Sequence, residues 1–312
     1  MCQTNLTRIF QNLLSYLKMT RRDTLTGVDL FCGIGSFHLA MRMVGIETML
    51  ACDIEPSVCA TYEANHGLAP THDIHDIECP MPNLTMLCAG FPCQPFSSTG
   101  NRQGIHDSKN GDLLGETLRL IGLWRPKTIV LENVTGFLSW NSGSLWHATD
   151  QALSELGYST VWLKMDCSEW GTPQHRERIF GLGVREDLLL RDDAQLVHPV
   201  TFTAQLSSLN IVTPTLGDFL RDSDIVVKRA PTIRCGGKES PPGTSWNWNQ
   251  YLRKDGSYHK VSLDEAMLLQ GFNPSNWHWR CTTAQGWHMI GNTVPLTLSC
   301  VAVTRLKPYL DL

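Results

Sequence analysis

The chain has 312 residues, of which 42% are hydrophobic and 18% charged, with a formal net charge of -4. This composition predicts a globular protein with room for one large and one smaller domain. It gives no global sign of a nucleic-acid partner, so any basic surface must be local. The 11 cysteines are scattered without a Cys-x-x-Cys pair, which argues for reduced thiols in a cytosol and against a disulfide framework or a zinc site. No run of residues is long or apolar enough to span a membrane, and the amino end lacks a secretory pattern.

Apolar residues recur at helical spacing near the amino end, from Ile9 to Leu17. This periodicity predicts an amphipathic helix within residues 1–22 that packs against another element. Docking on its own domain is the simpler interpretation, while binding of a partner stays open.

The first predicted strand, residues 24–31, leads into the turn Cys32-Gly33-Ile34-Gly35-Ser36 and then into a helix. This order is typical of nucleotide-binding sheets, because glycines let the backbone approach a ligand at the amino end of a helix. The dinucleotide fingerprint would need a third glycine where His38 stands, so a pyrophosphate cradle is disfavoured. The next predicted strand ends just before Asp53, 20 residues after Gly33, a spacing that suits hydrogen bonds to ribose hydroxyls.

A loop that follows the apolar run 84–89 carries the most distinctive residue of the chain, Cys93. The run predicts a buried parallel strand, and open α/β sheets bind ligands at the carboxyl ends of such strands. Pro92 and Pro95 frame Cys93 in a polar loop, whereas a cysteine that only fills the core needs no rigid frame. Cys93 is therefore a candidate nucleophile, and the polar, glycine-rich stretch 101–111 that follows is typical of a mobile lid.

Two later stretches place ionisable side chains on the same predicted sheet. An apolar strand, residues 127–131, delivers Glu132 to the edge that carries Cys93, where an acid–base role is favoured over a purely structural one. Arg176 and Arg178 alternate at strand spacing, so they are expected to share one face of the apolar strand that follows them.

The alternation of strands and helices fades from residue 185 to about residue 227, which predicts a domain boundary. The next stretch, residues 228–260 and called here the basic segment, has seven Lys or Arg against two acidic residues, a local charge of +5. Trp and Tyr side chains are interleaved with these charges, a combination that suits nucleic-acid contact. A solvated charged face is the competing interpretation, and the segment alone does not decide between the two.

Several of these stretches, in this order, resemble motifs of the DNA cytosine-5 methyltransferase family. The matching motifs are the catalytic loop Pro92-Cys93-Gln94-Pro95-Phe96-Ser97, the S-adenosylmethionine loop Asp29-Leu30-Phe31-Cys32-Gly33-Ile34-Gly35, the triplet Glu132-Asn133-Val134, the Gln-x-Arg-x-Arg pattern at 174–178, Leu268-Leu269-Gln270-Gly271-Phe272 and Ile290-Gly291-Asn292-Thr293-Val294-Pro295. The resemblance covers residues 24–185 and 262–306, and the last motif is predicted to open a helix that runs to about residue 306. Cys32 and Ser36 depart from the small residue and the glycine that the family usually has.

The resemblance implies an α/β fold: a class I S-adenosylmethionine-dependent methyltransferase, Rossmann-like, with a mostly parallel doubly wound sheet and a smaller DNA-recognition domain. The expected organisation is an amino-terminal extension at 1–22, a catalytic and cofactor-binding domain at 23–186, a target-recognition domain at 187–285, and a carboxyl-terminal helix at 286–312 that returns to the catalytic domain.

The implied reaction is methyl transfer from S-adenosyl-L-methionine to C5 of a flipped-out cytosine in a specific double-stranded DNA sequence, through a covalent Cys93–C6 intermediate. The implied catalytic residues are Cys93, Glu132, Arg176 and Arg178. The implied cofactor-binding residues are Phe31, Gly33, Gly35, Asp53, Ile54, Asp73, Ile74, Pro92, Asn292 and Thr293. The expected DNA contacts are Gln94, Ser97, Arg102, Lys228, Arg229, Arg234, Lys254 and Lys260. The assignment of Asp73 and Ile74 stays open, because residues 72–77 offer two nearly identical registers.

The implied partners are double-stranded DNA and, as a candidate, a cognate restriction endonuclease. We expect a monomer without a metal or a membrane contact, cytoplasmic and associated with the nucleoid through DNA. A tRNA cytosine methyltransferase of similar fold would share the chemistry, but it usually lacks so basic an insert, and its Cys-Phe-Thr tripeptide is missing here. A non-catalytic binding protein on this fold is the third interpretation, and the intact Cys93 and Glu132 speak against it.

Overall fold

The computed structural model describes residues 24–92, 113–189, 211–235 and 247–310. The strands are β1 (Leu25–Leu30), β2 (Ile46–Cys52), β3 (Met86–Ala89), β4 (Thr128–Asn133), β5 (Tyr158–Asp166), β6 (Glu177–Arg185), β7 (Gln250–Leu252) and β8 (Tyr258–Lys260). The α-helices are α1 (Ser36–Met43), α2 (Pro56–His66), α3 (Leu113–Trp124), α4 (Gly136–Ser139), α5 (Ser144–Glu155), α6 (Glu186–Leu189), α7 (Leu216–Leu220), α8 (Leu263–Leu269), α9 (Thr283–Asn292) and α10 (Leu296–Arg305). The predicted amino-terminal helix and the predicted lid at 101–111 lie outside the described residues.

Six strands form one sheet in the order β2-β1-β3-β4-β6-β5. Strands β1 to β4 run parallel, and β6 runs antiparallel to both of its neighbours. The antiparallel pairing sets Asn133, at the end of β4, beside Ile179, near the start of β6. The amino-terminal end of β6 therefore lies at the same sheet edge as the carboxyl ends of the parallel strands. This mostly parallel α/β sheet confirms the predicted fold class.

The apolar runs of the sequence form strands that are buried on both faces. Every residue of β3 and of β4 is buried. Along β4, Val130 packs into one hydrophobic cluster, while Ile129 and Leu131 pack into another on the opposite face. Continuous apolar strands covered on both faces are what a doubly wound sheet requires, because helices shield each face from water.

The last helix, α10, packs against α1, the helix that follows the glycine-rich turn. All ten residues of α10 are buried, and Ser299 Oγ lies 2.7 Å from Ser36 Oγ. The motif at 290–295 opens a helix as predicted, since α10 begins at Leu296 and ends at Arg305, while the first three residues of the motif still belong to α9. Pro295 explains the break, because it has no N–H to continue a helix and fits where a new one starts.

The chain loses its α/β alternation where the sequence predicts a boundary. Residues 211–235 contain only the short helix α7 within the described part, and residues 247–260 form the β7–β8 hairpin. Tyr251 of β7 and Val261 nevertheless belong to the same hydrophobic cluster as Phe180 and Leu182 of the sheet. The domain boundaries themselves stay a prediction. None of the helices in the described ranges combines the length and apolar character needed to cross a membrane.

Candidate active site

The backbone that leads to Cys93 is fixed against the end of β4. Asn133 donates from Nδ2 to the carbonyl of Phe91 over 3.1 Å, and its Oδ1 accepts from Val134 N–H at 2.9 Å. A Cβ built on Gly90 would lie 3.3 Å from Glu132 Oε2, so the entering loop passes directly over that carboxylate. The predicted site residues Cys93, Gln94, Ser97 and Arg102 lie outside the described residues.

Glu132 forms a largely buried ion pair with Arg178. Glu132 Oε1 lies 3.1 Å from Arg178 Nε, and the two side chains are only 9% and 14% exposed. Burial raises the pKa of Glu132, while the neighbouring charges of Arg178 and Arg176 oppose that rise. The carboxyl is therefore held closer to protonation than an ordinary surface glutamate, which suits a group that must donate a proton.

Arg176 is fully buried, and its guanidinium is bound by three backbone carbonyls. Its guanidinium donates from Nη1 to the carbonyl of Ile233 at 2.8 Å, and from Nη2 to the carbonyls of Gly291 at 2.8 Å and Thr293 at 2.7 Å. Burial, with help from the charge of Arg178, lowers the pKa of Arg176 to about 9. The phosphate contact predicted for Arg176 does not agree with 0% exposure, because a phosphate cannot reach the side chain here. Support of the neighbouring geometry, the other role predicted, agrees with these contacts.

The turn between β1 and α1 has the open backbone of a ligand cradle. Phe31 and Gly35 have φ angles of 56° and 88°, a left-handed conformation that a non-glycine residue such as Phe31 seldom adopts outside functional sites. A Cβ at Gly35 would collide with the ring of His66, whereas a Cβ at Gly33 would meet nothing within 4 Å. Gly33 N–H donates to Asp53 Oδ2 at 3.0 Å. Asp53, which is predicted to bind the ribose, therefore also holds the backbone of the turn.

The other predicted cofactor contacts differ in exposure. Ile54 is 69% exposed, next to Asp53 at the end of β2. Asp73 is half-buried, with its side chain 42% exposed, and it accepts from both the N–H and the ring Nδ1 of His75, at 3.0 and 2.7 Å. Ile74 is only 3% exposed, so its side chain lies in the core. Of this group, Ile54 and Asp73 present side chains at the surface beside the turn.

The turn between α9 and α10 lies between Arg176, next to the six-stranded sheet, and the basic segment. Thr293 is buried, and Asn292 Oδ1 accepts a hydrogen bond from Cys235 Sγ at 2.8 Å. Pro92, the last described residue before Cys93, is exposed. The structure thus brings Thr293 and its neighbours against Arg176, which donates to the carbonyls of Gly291 and Thr293.

The predicted basic cluster is partly neutralised. Arg253 contacts Asp222 Oδ2 through Nε at 2.8 Å and Nη2 at 2.6 Å, and Lys254 Nζ lies 3.5 Å from Asp224 Oδ1. Both acids stand just before the basic segment, so the count of +5 within 228–260 overstated the local positive charge. Lys228, Arg234, Lys254 and Lys260 are exposed, and Arg229 is half-buried with a hydrogen bond to the carbonyl of Pro214. Their assignment to DNA contact stays a prediction.

Four polar side chains that support the site were not singled out in the sequence: Asn133, Gln174, His66 and Arg119. Asn133 and Gln174 stood inside recognised motifs, so a signal for them existed. His66 donates from Nε2 to the carbonyl of Ile34 at 3.0 Å, and Arg119 donates to the carbonyl of Ile77 at 3.0 Å. His66 and Arg119 sit in ordinary helices without a motif, so no sequence signal could have found them.

Comparison with known sequences identifies the family. The family model described as C-5 cytosine-specific DNA methylase matches residues 25–230. Type II methyltransferase M.HhaI of Haemophilus parahaemolyticus is 36% identical over 322 residues, which cover 91% of this chain and 98% of that relative. Type II methyltransferase M.BsuFI of Bacillus subtilis is 37% identical over 180 residues, which cover 57% of this chain but only 44% of that relative.

Solved structures agree on the fold. The S. pombe Dnmt2 methyltransferase superposes with a TM-score of 0.65 at 18% identity, covering 91% of this chain and 99% of that one. A putative DNA modification methyltransferase encoded within an E. coli prophage superposes with a TM-score of 0.63 at 18% identity, covering 93% and 100%. At these identities the likeness shows the fold alone. Taken with the sequence matches, these findings confirm that the chain belongs to the C-5 cytosine-specific DNA methylase family, whose members are DNA cytosine-5-methyltransferases.

Proposed function

We propose that the chain transfers the methyl group of S-adenosyl-L-methionine to C5 of a flipped-out cytosine in a specific double-stranded DNA sequence. The observation that carries the proposal is the buried Glu132–Arg178 pair, which lies beside the backbone that leads into Cys93. A carboxyl with a raised pKa, a cation and a thiol, here proposed to be that of Cys93, are the groups that activation of a cytosine ring needs.

The residues of the β1–α1 turn fit the proposed cofactor. Gly33 leaves open space where a side chain would stand, and the exposed Ile54 offers an apolar surface for an adenine. Asp53 uses one lone pair of each oxygen on the N–H groups of Gly33 and Glu55, which leaves acceptor capacity for ribose hydroxyls. Bound there, the cofactor supplies a methyl group made electrophilic by a sulfonium, with S-adenosyl-L-homocysteine as product.

The protein side of the reaction follows from the chemistry of cytosine. C5 is a weak nucleophile, because its electrons are delocalised in the ring. The thiolate of Cys93 adds to C6, breaks the C5–C6 double bond and makes C5 enamine-like. Glu132 supplies a proton to N3, which takes up the charge of that addition, and Arg178 binds the ring oxygen. After methylation, loss of the C5 proton and expulsion of Cys93 restore the double bond.

A base stacked in a duplex cannot reach Cys93, so the cytosine must be flipped out of the helix. We assign the choice of sequence to the segment from about residue 185 to residue 260, because it interrupts the α/β order and contains the basic segment. Exchanging this segment for that of a related enzyme should transfer the sequence context of methylation. A context that stays with the flanking parts would place recognition elsewhere.

The names of the relatives, Type II methyltransferases, support a further part of the proposal. We expect the chain to act as a monomer in the cytoplasm, on the DNA of the nucleoid, as the modification partner of a restriction endonuclease. This predicts that host DNA carrying the active protein resists cleavage at the sequence that it methylates.

Bisulfite sequencing of host DNA after expression tests the proposal. Unconverted cytosines should share one sequence context, and they should vanish with Cys93→Ala. Labelled cofactor offered in vitro with DNA and with tRNA separates the two substrates. Label on tRNA alone would refute the assignment of DNA as the substrate. Absence of methyl transfer to both DNA and tRNA would refute the proposal that the protein is a methyltransferase.

A further inference from the structure

Two buried side chains hold the backbone of Ile233, inside the basic segment. Gln174 Oε1 accepts from Ile233 N–H at 3.1 Å, and Arg176 Nη1 donates to the Ile233 carbonyl at 2.8 Å. Gln174, Arg176 and Ile233 all have 0% exposure. The two side chains, two residues apart, thus take the place that a neighbouring strand would have. We call this arrangement the Ile233 clamp.

The same side chains reach two further segments. Gln174 Nε2 donates to the carbonyl of Leu269, in α8, at 2.8 Å. Arg176 Nη2 binds the carbonyls of Gly291, in the last turn of α9, and of Thr293, directly after that helix. Because an unpaired buried polar group costs about 1–3 kcal/mol, each of these segments is held where its hydrogen bond can form.

Backbone contacts reinforce the clamp beside Gln174. His175 N–H donates to the carbonyl of Ala230 at 2.8 Å, and Ala230 N–H donates to the carbonyl of Pro173 at 2.7 Å. Thr232 Oγ1 donates to the carbonyl of His175 at 2.7 Å. Residues 230–233 therefore lie along residues 173–176 almost as a paired strand.

The clamp lies between two groups with different tasks. On one side, Arg178 follows Arg176 by two residues and pairs with Glu132. On the other side, the exposed Arg234 follows Ile233 directly. A shift of the backbone at Ile233 would break buried hydrogen bonds, so the position of Arg234 relative to Glu132 is fixed.

We propose that Gln174 is a positioning residue that holds the DNA-facing backbone at Arg234 in register with the catalytic pair Glu132–Arg178. The base that is methylated and the bases that are recognised are thereby kept at a set distance. This inference rests on the proposed function, and it adds a residue whose effect is on discrimination between DNA sequences rather than on the chemical step.

Gln174→Met tests the proposal, because methionine has a similar length but cannot bind Ile233 N–H or the Leu269 carbonyl. Gln270→Met is the matched control: Gln270 is equally buried at 0% exposure, and its Nε2 donates to the carbonyl of Ile290 at 3.1 Å. Both variants lose a buried amide, but only the first releases Ile233. A purely structural role would lower stability and the active fraction in both, without changing sequence discrimination in either.

The measurement is the ratio of kcat/KM on the cognate duplex to kcat/KM on duplexes with one changed base pair, per active site counted by trapping on 5-fluorocytosine DNA. We expect the ratio to fall about tenfold in Gln174→Met, the size of one lost base contact, and to stay within about twofold in Gln270→Met. If Gln174→Met does not fold, Thr232→Val removes a milder contact of the same stretch and should lower the ratio about threefold.

An unchanged ratio in Gln174→Met, or in Thr232→Val where the first variant does not fold, would overturn the inference. Equal losses of discrimination in Gln174→Met and Gln270→Met would overturn it as well, since a general loosening would then suffice. Absence of DNA methylation by the unaltered protein is a separate outcome, which would refute the proposed function and this inference with it.

Discussion

The candidate catalytic edge, formed by Glu132, Arg176 and Arg178 and called here the catalytic edge, and the basic segment hold their cations in opposite ways. Arg176 is fully buried and bound to three backbone carbonyls, and Arg178 is paired with a carboxylate that is 9% exposed. Lys254, in contrast, meets Asp224 at 3.5 Å with both side chains 64% exposed. An exposed pair of this kind contributes about 0–1 kcal/mol, whereas breaking a buried pair costs about 3–5 kcal/mol.

This difference separates two kinds of work. Chemistry on a cytosine ring needs donors and acceptors that do not move, and buried side chains with backbone partners provide them. Binding of a polyanion needs cations that can exchange one partner for another, and exposed lysines with weak partners provide those. Mutations at the catalytic edge should therefore change rates, while mutations in the basic segment should change the dependence of binding on salt.

The largest effect is expected for Glu132→Gln. Glutamine keeps the shape of the side chain but cannot deliver a proton, so methyl transfer should fall by about 10²- to 10⁴-fold while DNA affinity is kept. Glu177→Gln is the matched control. Glu177 lies on β6, the strand that pairs with the strand of Glu132, but its side chain is 47% exposed and paired with Lys164. A rate within about threefold of wild type for Glu132→Gln would rule out the acid role.

Arg178→Met should lower the rate by about 10- to 100-fold, through loss of a charged hydrogen bond to the base. It should also shift the pH profile. In the proposed mechanism the active form has a protonated Glu132, so activity is expected below the pKa of this group and should be lost as pH rises through it. Arg178 opposes the rise in the pKa of Glu132, and its removal should move the descending limb to higher pH. Movement of that limb to lower pH would contradict the assignment.

Asp53→Ala should weaken binding of S-adenosyl-L-methionine by about 10- to 100-fold, because ribose hydrogen bonds and the support of Gly33 N–H are lost together. Calorimetric titration measures this directly. Glu63→Ala, an exposed acid on α2, is the control and should bind as wild type. Equal affinity in the two variants would move the cofactor site elsewhere.

The smallest effect is expected in the basic segment. Lys254→Ala should reduce the slope of log affinity against log salt by about 1 and weaken binding to all DNA sequences alike. Asp224→Ala, which frees Lys254 from its partner, should strengthen binding. Lys127→Ala is the control, because Lys127 precedes β4 at the opposite edge of the sheet. The same slope in Lys254→Ala and Lys127→Ala would remove Lys254 from the DNA surface.

The sequence predicted the position of Glu132, since buried strands followed by polar motifs mark the carboxyl ends of a parallel sheet. The two arginines show where this reasoning stops. The spacing of Arg176 and Arg178 predicted that they share one face of a strand. It did not predict which groups those side chains would contact. Arg178 meets Glu132 because β6 runs antiparallel, and Arg176 meets the carbonyls of Ile233 and Gly291, which are distant in the chain.

Charge was harder to predict than topology. A count within residues 228–260 includes only neighbours along the chain, whereas ion pairs form across space. Asp222 and Asp224 lie just outside that range and contact Arg253 and Lys254. Buried motifs are fixed by packing that the local sequence encodes, but the charge of a surface depends on every segment that folds onto it.

Covalent trapping tests the central claim most directly. DNA that carries 5-fluorocytosine at the methylated position should trap the wild-type protein in a denaturation-resistant complex when S-adenosyl-L-methionine is present, because fluorine cannot leave as a proton does. Cys93→Ala should form no such complex while it still binds the cofactor by calorimetry. A complex of equal yield with Cys93→Ala would contradict the assignment of Cys93 as the nucleophile, and with it the proposed mechanism.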